Sequence, residues 1–139
     1  MVLLIVGEKG KGKTKHLFEK VNSEIKTISG NIVFLDKSSK HMYELNNKVR
    51  LIDVSDYFID NSSAFLGFIS GIISQYHDLE QLYVDNFLVL SKSDVSEFDN
   101  LIDKLEEIGS KYGVDFVLSA SAKESDLPPK AKSKVIVSL

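Results

Sequence analysis

Residues 2–14 read VLLIVGEKGKGKT, an apolar run that ends in a turn of glycines and lysines. The continuous apolar run from Val2 to Val6 predicts a strand that is buried on both faces. The residues that follow, Gly7 to Thr14, match the pattern G-x-x-x-x-G-K-[ST] without a gap. The glycines allow backbone torsions that other residues resist, and they let N–H groups approach an anion closely. The stretch therefore predicts a phosphate-binding turn between a buried strand and a helix.

Each part of this turn has a predicted role in holding a nucleoside triphosphate. The helix that begins near Lys13 directs the positive end of its dipole at the same anion. Lys13 is expected to bridge the β- and γ-phosphates, and it is the only residue to which we assign a catalytic role. Thr14 is expected to bind Mg²⁺ through its hydroxyl. Lys9 and Lys11 are expected to face solvent, with a minor electrostatic contribution. The residues predicted to contact the nucleotide are Gly7, Glu8, Lys9, Gly10, Lys11, Gly12, Lys13, Thr14 and Lys15.

Predicted strands and helices alternate along the rest of the chain. Apolar residues at helical spacing predict helices at 14–25, 64–76 and 96–112, with a short one at 42–46. Apolar runs predict further strands at 32–35, 49–54, 82–85, 114–119 and 135–139, and the apolar character of the fourth strand extends to Leu90. This alternation predicts an α/β protein in which a mainly parallel sheet of five or six strands lies between two layers of helices.

Length and composition indicate an ordinary globular protein. The chain has 139 residues, of which 43% are hydrophobic and 27% charged, and we expect a single domain over residues 1–139. Residues 120–134, rich in Ser, Lys, Ala and Pro, are predicted to form a flexible loop before the last strand. The absence of cysteine excludes a disulfide framework and a thiolate metal site. No apolar run is long enough to cross a bilayer, so we expect a cytoplasmic protein without a membrane partner.

A second candidate metal ligand lies at the end of a predicted strand. A phosphate-binding turn of this kind usually works with a buried carboxylate that holds Mg²⁺ through water. Asp85 ends the strand Leu82-Tyr83-Val84-Asp85 and fits that role. Asp36 and Asp53 also end predicted strands, so they are competing candidates. Thr14 and Asp85 are the metal-binding residues that we predict.

With these features, the chain resembles the RecA-like ATPases, a P-loop NTPase superfamily of recombinases, hexameric replicative helicases and clock-type ATPases. The resemblance covers nearly the whole chain, although only the turn at 7–14 is specific. It implies a three-layer α/β/α fold with the strand order sixth, first, fifth, fourth, second, third. It also implies that the cofactors are ATP and Mg²⁺ and that Asp85 is the Walker B aspartate.

Two departures from the family pattern concern hydrolysis. Relatives usually carry a glutamate after the strand that follows the P-loop helix, where it activates water, but Ser38 stands near that position and cannot act as a base. Asp36 and Glu44 are the candidate substitutes, but neither stands at the expected position. The polar sensor after the fifth strand is replaced by hydroxyls in Ser119-Ala120-Ser121, and Asn86 stands where some relatives have a second acid. The sequence therefore predicts ATP binding, with a slow or partner-activated ATPase activity left open.

The resemblance also implies two kinds of macromolecular partner. Related ATPases often complete their sites with an arginine from a neighbouring subunit, and Arg50 is the only arginine here. A homo-oligomer is therefore one candidate assembly. Recombinase-type relatives contact DNA through the segment that corresponds to residues 120–134, whose lysines suit backbone phosphates. Those lysines are Lys123, Lys130, Lys132 and Lys134. The alternative is a solvated loop, since the segment has no aromatic residue on which a base could stack.

Three other functions remain as alternatives. Ser91-Lys92-Ser93-Asp94 and Ser121-Ala122-Lys123 are similar to guanine-reading motifs of small GTPases, but Asp53-Val54-Ser55-Asp56 lacks the glycine of the D-x-x-G motif. A small-molecule kinase would need an arginine-rich lid, which a chain with one arginine does not provide. A degenerate P-loop that serves as a scaffold or regulatory partner is the third alternative.

Overall fold

The computed structural model describes residues 1–139, and it places the opening apolar run in strand β1, Val2–Gly7. Every strand pairing in the sheet is parallel, so the carboxyl ends of all the strands lie at one edge of the sheet. The sheet order is β3-β2-β4-β5-β1-β6, which confirms the strand order implied by the resemblance. The other strands are β2 (Asn31–Asp36), β3 (Arg50–Asp53), β4 (Leu79–Val84), β5 (Asp115–Ser121) and β6 (Val135–Ser138).

Helices cover both faces of this sheet, and the predicted α/β class is confirmed. A cluster of 11 buried residues lies under the helix that follows β1, and a cluster of 26 buried residues lies on the opposite face under the remaining helices. The larger core therefore lies on the face away from α1. The helices are α1 (Lys13–Glu24), α2 (Ser62–Gln75), α3 (Phe87–Leu90), α4 (Phe98–Tyr112) and α5 (Pro129–Ser133).

The apolar spacing that predicts helix α4 also explains how it packs. Phe98, Leu101, Ile102 and Leu105 recur at three- and four-residue intervals and are buried against the sheet. The helix ends at Gly113, whose φ of 69° suits glycine and closes the last turn. No helix combines the length and the apolar character that crossing a bilayer requires.

The apolar residues after β4 form a helix, and the extension of that strand to Leu90 is wrong. β4 ends at Val84, and Asn86 adopts a left-handed conformation with φ 55° that turns the chain away from the sheet. Helix α3 follows at once and buries Phe87 and Leu90 in the larger core. Apolar composition alone does not distinguish a buried strand from a short buried helix.

Residues 120–134, predicted to be a loop, contain regular structure. β5 continues to Ser121, and a 3₁₀ turn at Glu124–Asp126 leads to helix α5. The carboxylate of Asp99, on α4, accepts hydrogen bonds from the backbone N–H groups of Lys130 (3.1 Å) and Ala131 (2.8 Å). This capping group lies 31 residues away along the chain, so local composition could not reveal it.

Candidate functional site

The turn between β1 and α1 is wound tightly by two glycines in the left-handed region. Gly10 has φ 86° and Gly12 has φ 94°, values that residues with a Cβ atom rarely adopt. The Lys11 N–H donates to the Glu8 carbonyl oxygen at 3.3 Å and closes the turn. The turn is therefore a compact concavity at the start of α1.

The first turn of α1 presents unpaired donors to this concavity. The backbone N–H groups of Lys13, Thr14 and Lys15 have no acceptor in the protein, whereas that of His16 donates to the Gly12 carbonyl oxygen at 3.3 Å. The first N–H groups of any helix lack an intrahelical partner, and the helix dipole adds positive potential there. The Lys15 side chain points away along α1, 4.0 Å from Glu19. Any contact of Lys15 with an anion would therefore be made by its backbone.

The Lys13 ammonium lies over the same turn. The residue is 6% exposed, and its Nζ donates a 3.0 Å hydrogen bond to the Glu8 carbonyl oxygen. Burial lowers the pKa of the Lys13 amine, and the nearby charge of Asp85 partly opposes that shift. An anion bound beside the amine would favour its charged form. A cavity of about 360 Å³ opens here, lined by Lys9, Gly10, Gly12, Lys13, Thr14, Lys37, Asn86, Val89 and Ser121.

Two hydroxyl groups hold the Asp85 carboxylate at the carboxyl edge of the sheet. Thr14 Oγ1 donates to Asp85 Oδ2 at 2.9 Å, and Ser119 Oγ donates to Asp85 Oδ1 at 2.6 Å. Asp85 is 5% exposed and immediately follows β4. Ser119 Oγ also accepts a hydrogen bond from the Asn86 N–H at 2.8 Å. The hydroxyl and carboxylate predicted to hold Mg²⁺ are thus brought together from residues that are 71 positions apart.

The two competing carboxylates lie in different surroundings. Asp53 accepts hydrogen bonds from the Ser55 N–H (3.0 Å) and Ser55 Oγ (2.5 Å), so it caps the 3₁₀ turn Val54–Asp56. Asp36, at the end of β2, is 3% exposed; its Oδ1 accepts the Lys37 N–H at 2.7 Å, and its Oδ2 has no partner. Burial and the negative charge of Asp85 raise the pKa of the Asp36 carboxyl. Asp36 is therefore a second acid beside Asp85.

The candidate substitutes for the missing glutamate are separated by the structure. Ser38 lies outside the cavity, and its hydroxyl accepts a 3.5 Å hydrogen bond from the Lys40 N–H. Glu44 is paired with the His41 ring at the surface. Only Asp36 lies close enough to Asp85 for the two charges to interact. Among these residues, Asp36 is the one whose carboxyl interacts with the Asp85 charge, and it is buried outside the lining of the cavity.

Three of the four lysines predicted to contact nucleic acid make ion pairs within the protein. Lys130 pairs with Asp103, and Lys134 Nζ lies 3.0 Å from Glu106. Lys123 Nζ lies 3.9 Å from the Glu8 carboxylate, which links this segment to the turn between β1 and α1. Lys132 has no ion pair. Contact with nucleic acid through these lysines stays a prediction, and it would compete with these pairs.

Sequence reasoning predicted neither the contact of Ser119 with Asp85 nor the position of Lys37 at the cavity. Ser119 lies next to the β4 end because β5 is the neighbour of β4, and Lys37 lines the cavity from the end of β2. Both lie at strand ends in a parallel sheet, where ligand-binding residues collect. A search of all the predicted strand ends would have found them.

The fold of this chain is shared with a protein of known structure. A KaiC-like protein from the hyperthermophilic archaeon Pyrococcus horikoshii OT3 superposes with a TM-score of 0.64 over 98% of this chain and 69% of its own length, at 19% sequence identity. No protein-family model matches the chain, and no curated protein matches its sequence. An identity this low establishes architecture alone. The parallel sheet, its strand order and this similarity together show that the chain has a RecA-like α/β fold.

Proposed function

We propose that this chain binds ATP together with Mg²⁺ through the turn between β1 and α1. The observation that carries the proposal is the 2.9 Å hydrogen bond from Thr14 Oγ1 to Asp85 Oδ2, beside the Lys13 ammonium and the free N–H groups of α1. Each group is of the kind that a triphosphate and its metal require. The fold supports the proposal without testing it.

The donors suit the phosphates as a set. Lys13 supplies a full positive charge, and the backbone N–H groups of Lys13, Thr14 and Lys15 supply directed donors at the positive end of a helix. The cavity of about 360 Å³ extends beyond the turn, where Asn86 and Ser121 line it. A polyphosphate placed along the turn would run toward the carboxyl ends of β4 and β2.

The oxygen ligands suit Mg²⁺ better than a metal that prefers an all-protein cage. Mg²⁺ keeps several waters and takes only one or two protein ligands besides the phosphates. The protein has no group of three or more acidic, histidine or cysteine side chains that could hold a metal alone. Thr14 and Asp85 would therefore share the ion with bound phosphate. The ion would neutralise negative charge on the phosphoryl group that is transferred.

Hydrolysis is proposed as a slow or partner-activated reaction that depends on Asp36. The carboxyl is buried beside Asp85, and its raised pKa makes the carboxylate a stronger base than that of an ordinary aspartate. Its burial also limits access of water. A protein that binds nucleotide without turnover, as a scaffold would, is the alternative outcome.

One observation bears on the choice between ATP and GTP. In small GTPases the aspartate of the N/T-K-x-D motif reads guanine, and Asp94 is its counterpart here. Asp94 Oδ1 accepts a 2.9 Å hydrogen bond from the Ser96 N–H and another from Ser96 Oγ, so it caps the turn before α4. A base would have to displace these bonds, and we therefore favour ATP.

Calorimetric titration with ATP and GTP, with and without Mg²⁺, tests the proposal. We expect the wild-type chain to bind ATP more tightly than GTP, and Lys13→Ala to lose at least about tenfold in affinity because a charged hydrogen bond to phosphate is removed. Lys11→Ala is the matched control, since Lys11 belongs to the same turn but does not line the cavity. Equal affinity of the wild type and Lys13→Ala would reject the site. Phosphate release with and without single-stranded DNA then separates an ATPase from a scaffold.

A further inference from the structure

Lys37 is one of three lysines that line the cavity at the turn between β1 and α1, together with Lys9 and Lys13. It follows the last residue of β2, and it also borders a second cavity of about 420 Å³. Lys13 belongs to α1, which follows β1, whereas Lys37 follows β2, which lies beyond β5 and β4 in the sheet. The two residues therefore border the cavity from different elements.

The position of Lys37 is fixed by its backbone while its ammonium stays free. The Lys37 N–H donates to Asp36 Oδ1 at 2.7 Å, which ties the residue to a buried carboxylate. The side chain itself is exposed and makes no ion pair with any carboxylate of the protein. An unpaired ammonium at the rim of an anion site is available to a ligand without breaking an existing contact.

The chain offers no arginine for this role from its own residues. Arg50 is the first residue of β3, so it lies at the opposite edge of a parallel sheet from the turn after β1. Its guanidinium lies 5.0 Å from the centre of the Tyr76 ring, beside a separate cavity of about 530 Å³. Arg50 therefore cannot reach the phosphates bound by the same chain.

We propose that Lys37 contacts the terminal phosphate of a bound nucleoside triphosphate and so makes this site select triphosphates over diphosphates. This inference rests on the proposed function. A phosphate chain that is held by the turn and Lys13 and runs toward β4 and β2 brings its last group to the side of the cavity that Lys37 lines. A diphosphate ends closer to the turn and leaves Lys37 in solvent. Because the extra phosphate adds negative charge on that side, Lys37 stabilises the triphosphate complex selectively.

Calorimetric titration of four proteins with Mg·ATP and Mg·ADP tests this role. In Lys37→Met we expect ATP affinity to fall by about tenfold, the value of one charge-assisted hydrogen bond, while ADP affinity changes by less than about twofold. Lys37→Arg should keep most of the preference for ATP. Lys48→Met, which removes one charge at the opposite edge of the sheet, should leave both affinities unchanged.

The outcomes separate this inference from the function on which it rests. If the wild type binds both nucleotides and Lys37→Met keeps the wild-type ratio of ATP to ADP affinity, Lys37 does not contact the terminal phosphate. A Lys48→Met variant that loses the ratio as fully as Lys37→Met would show an effect of net charge and would also overturn the assignment. A wild-type chain that binds neither nucleotide would overturn the proposed function and this inference with it. Circular dichroism of each variant verifies the fold.

Discussion

Asp36 is the residue with the least favourable surroundings in the site. It is 3% exposed, its Oδ2 has no hydrogen-bond donor, and the nearby charge of Asp85 adds to the cost of ionising it. Burial of an unpaired polar atom typically costs about 1–3 kcal/mol. Such a cost is commonly retained where an acid has a chemical role. Asp36 thus costs the fold stability at the position where we propose a catalytic base.

We expect Asp36→Asn to raise the free energy of unfolding by about 1 kcal/mol near neutral pH, because a neutral amide replaces an incompletely paired carboxylate. The folded-state pKa of Asp36 is raised above its unfolded value, mainly by burial. The ionised carboxylate therefore destabilises the wild type at pH values above the folded pKa. This cost decreases as the pH falls below the folded pKa, and it is absent below the unfolded pKa. The stability advantage of Asp36→Asn should decrease over the same pH range. Urea unfolding at several pH values measures the difference.

The matched control for this measurement is Asp60→Asn, which removes the same charge from an exposed side chain. Its stability should stay within about 0.5 kcal/mol of the wild type. An Asp36→Asn variant that is less stable than the wild type at every pH would contradict the argument. The same variant gives a functional result, since a chain that uses Asp36 as its base should bind ATP but lose phosphate release.

At the scale of helices, we expect the same glycine-to-alanine substitution to have opposite effects on stability at two positions. Gly71 lies in α2 and is exposed, and a Cβ added there meets nothing within 4 Å. Gly109 lies in α4, where an added Cβ would lie 2.6 Å from the Val114 carbonyl oxygen. Gly71→Ala should therefore stabilise the protein by about 1 kcal/mol through helix propensity. Gly109→Ala should destabilise it by about 1–3 kcal/mol because the backbone must shift.

Thermal unfolding of the two variants beside the wild type tests this prediction, and each variant serves as the control for the other. Both changes add one methyl group to a helix, so composition and helix propensity are matched. Equal shifts in the same direction would show that the close approach of α4 to Val114 does not constrain the fold.

The elements that sequence could predict are those whose signal is local. Helix α4 follows from its apolar spacing and Gly113, and β1 with its turn follows from residues 2–14. Helix α3 could not be predicted because a four-residue apolar run has no resolved periodicity. Helix α5 depends on the Asp99 carboxylate, a group of another helix. Tertiary hydrogen bonds of this kind leave no local trace in the sequence.

The candidate site, like the fold, could be predicted from the sequence only where its signal is local. The turn and Asp85 could be assigned because each belongs to a local pattern at the end of a buried strand. Ser119 and Lys37 meet them only through the sheet order, since β5 and β2 flank β4. The resemblance to RecA-like ATPases implies that order, but strand order alone does not say which side chains of neighbouring strands meet. The contact of Ser119 with Asp85 and the position of Lys37 at the cavity are therefore visible only in the structure.

At the scale of the whole molecule, the site joins parts that are distant along the chain. Thr14 comes from α1, Asp85 follows β4, Ser119 lies in β5, and Lys37 follows β2. These strands are neighbours in one parallel sheet, so a ligand at their common edge would contact both the turn after β1 and the centre of the sheet. Unfolding separates all four residues. A ligand that binds only where these four residues are close together therefore binds the folded state alone and stabilises it.

We expect Mg·ATP at about 100 times its dissociation constant to stabilise the chain by about 2.7 kcal/mol, which corresponds to an increase in Tm of about 10 °C for a domain of this size. Removal of Mg²⁺ with EDTA should reverse most of the increase, because Thr14 and Asp85 would then face phosphate without the shared ion. Scanning calorimetry measures both effects, and Lys13→Ala should show neither. An increase that persists unchanged in EDTA would mean that the nucleotide is held without the metal, and the Thr14–Asp85 contact would then be only a structural hydrogen bond between α1 and β4.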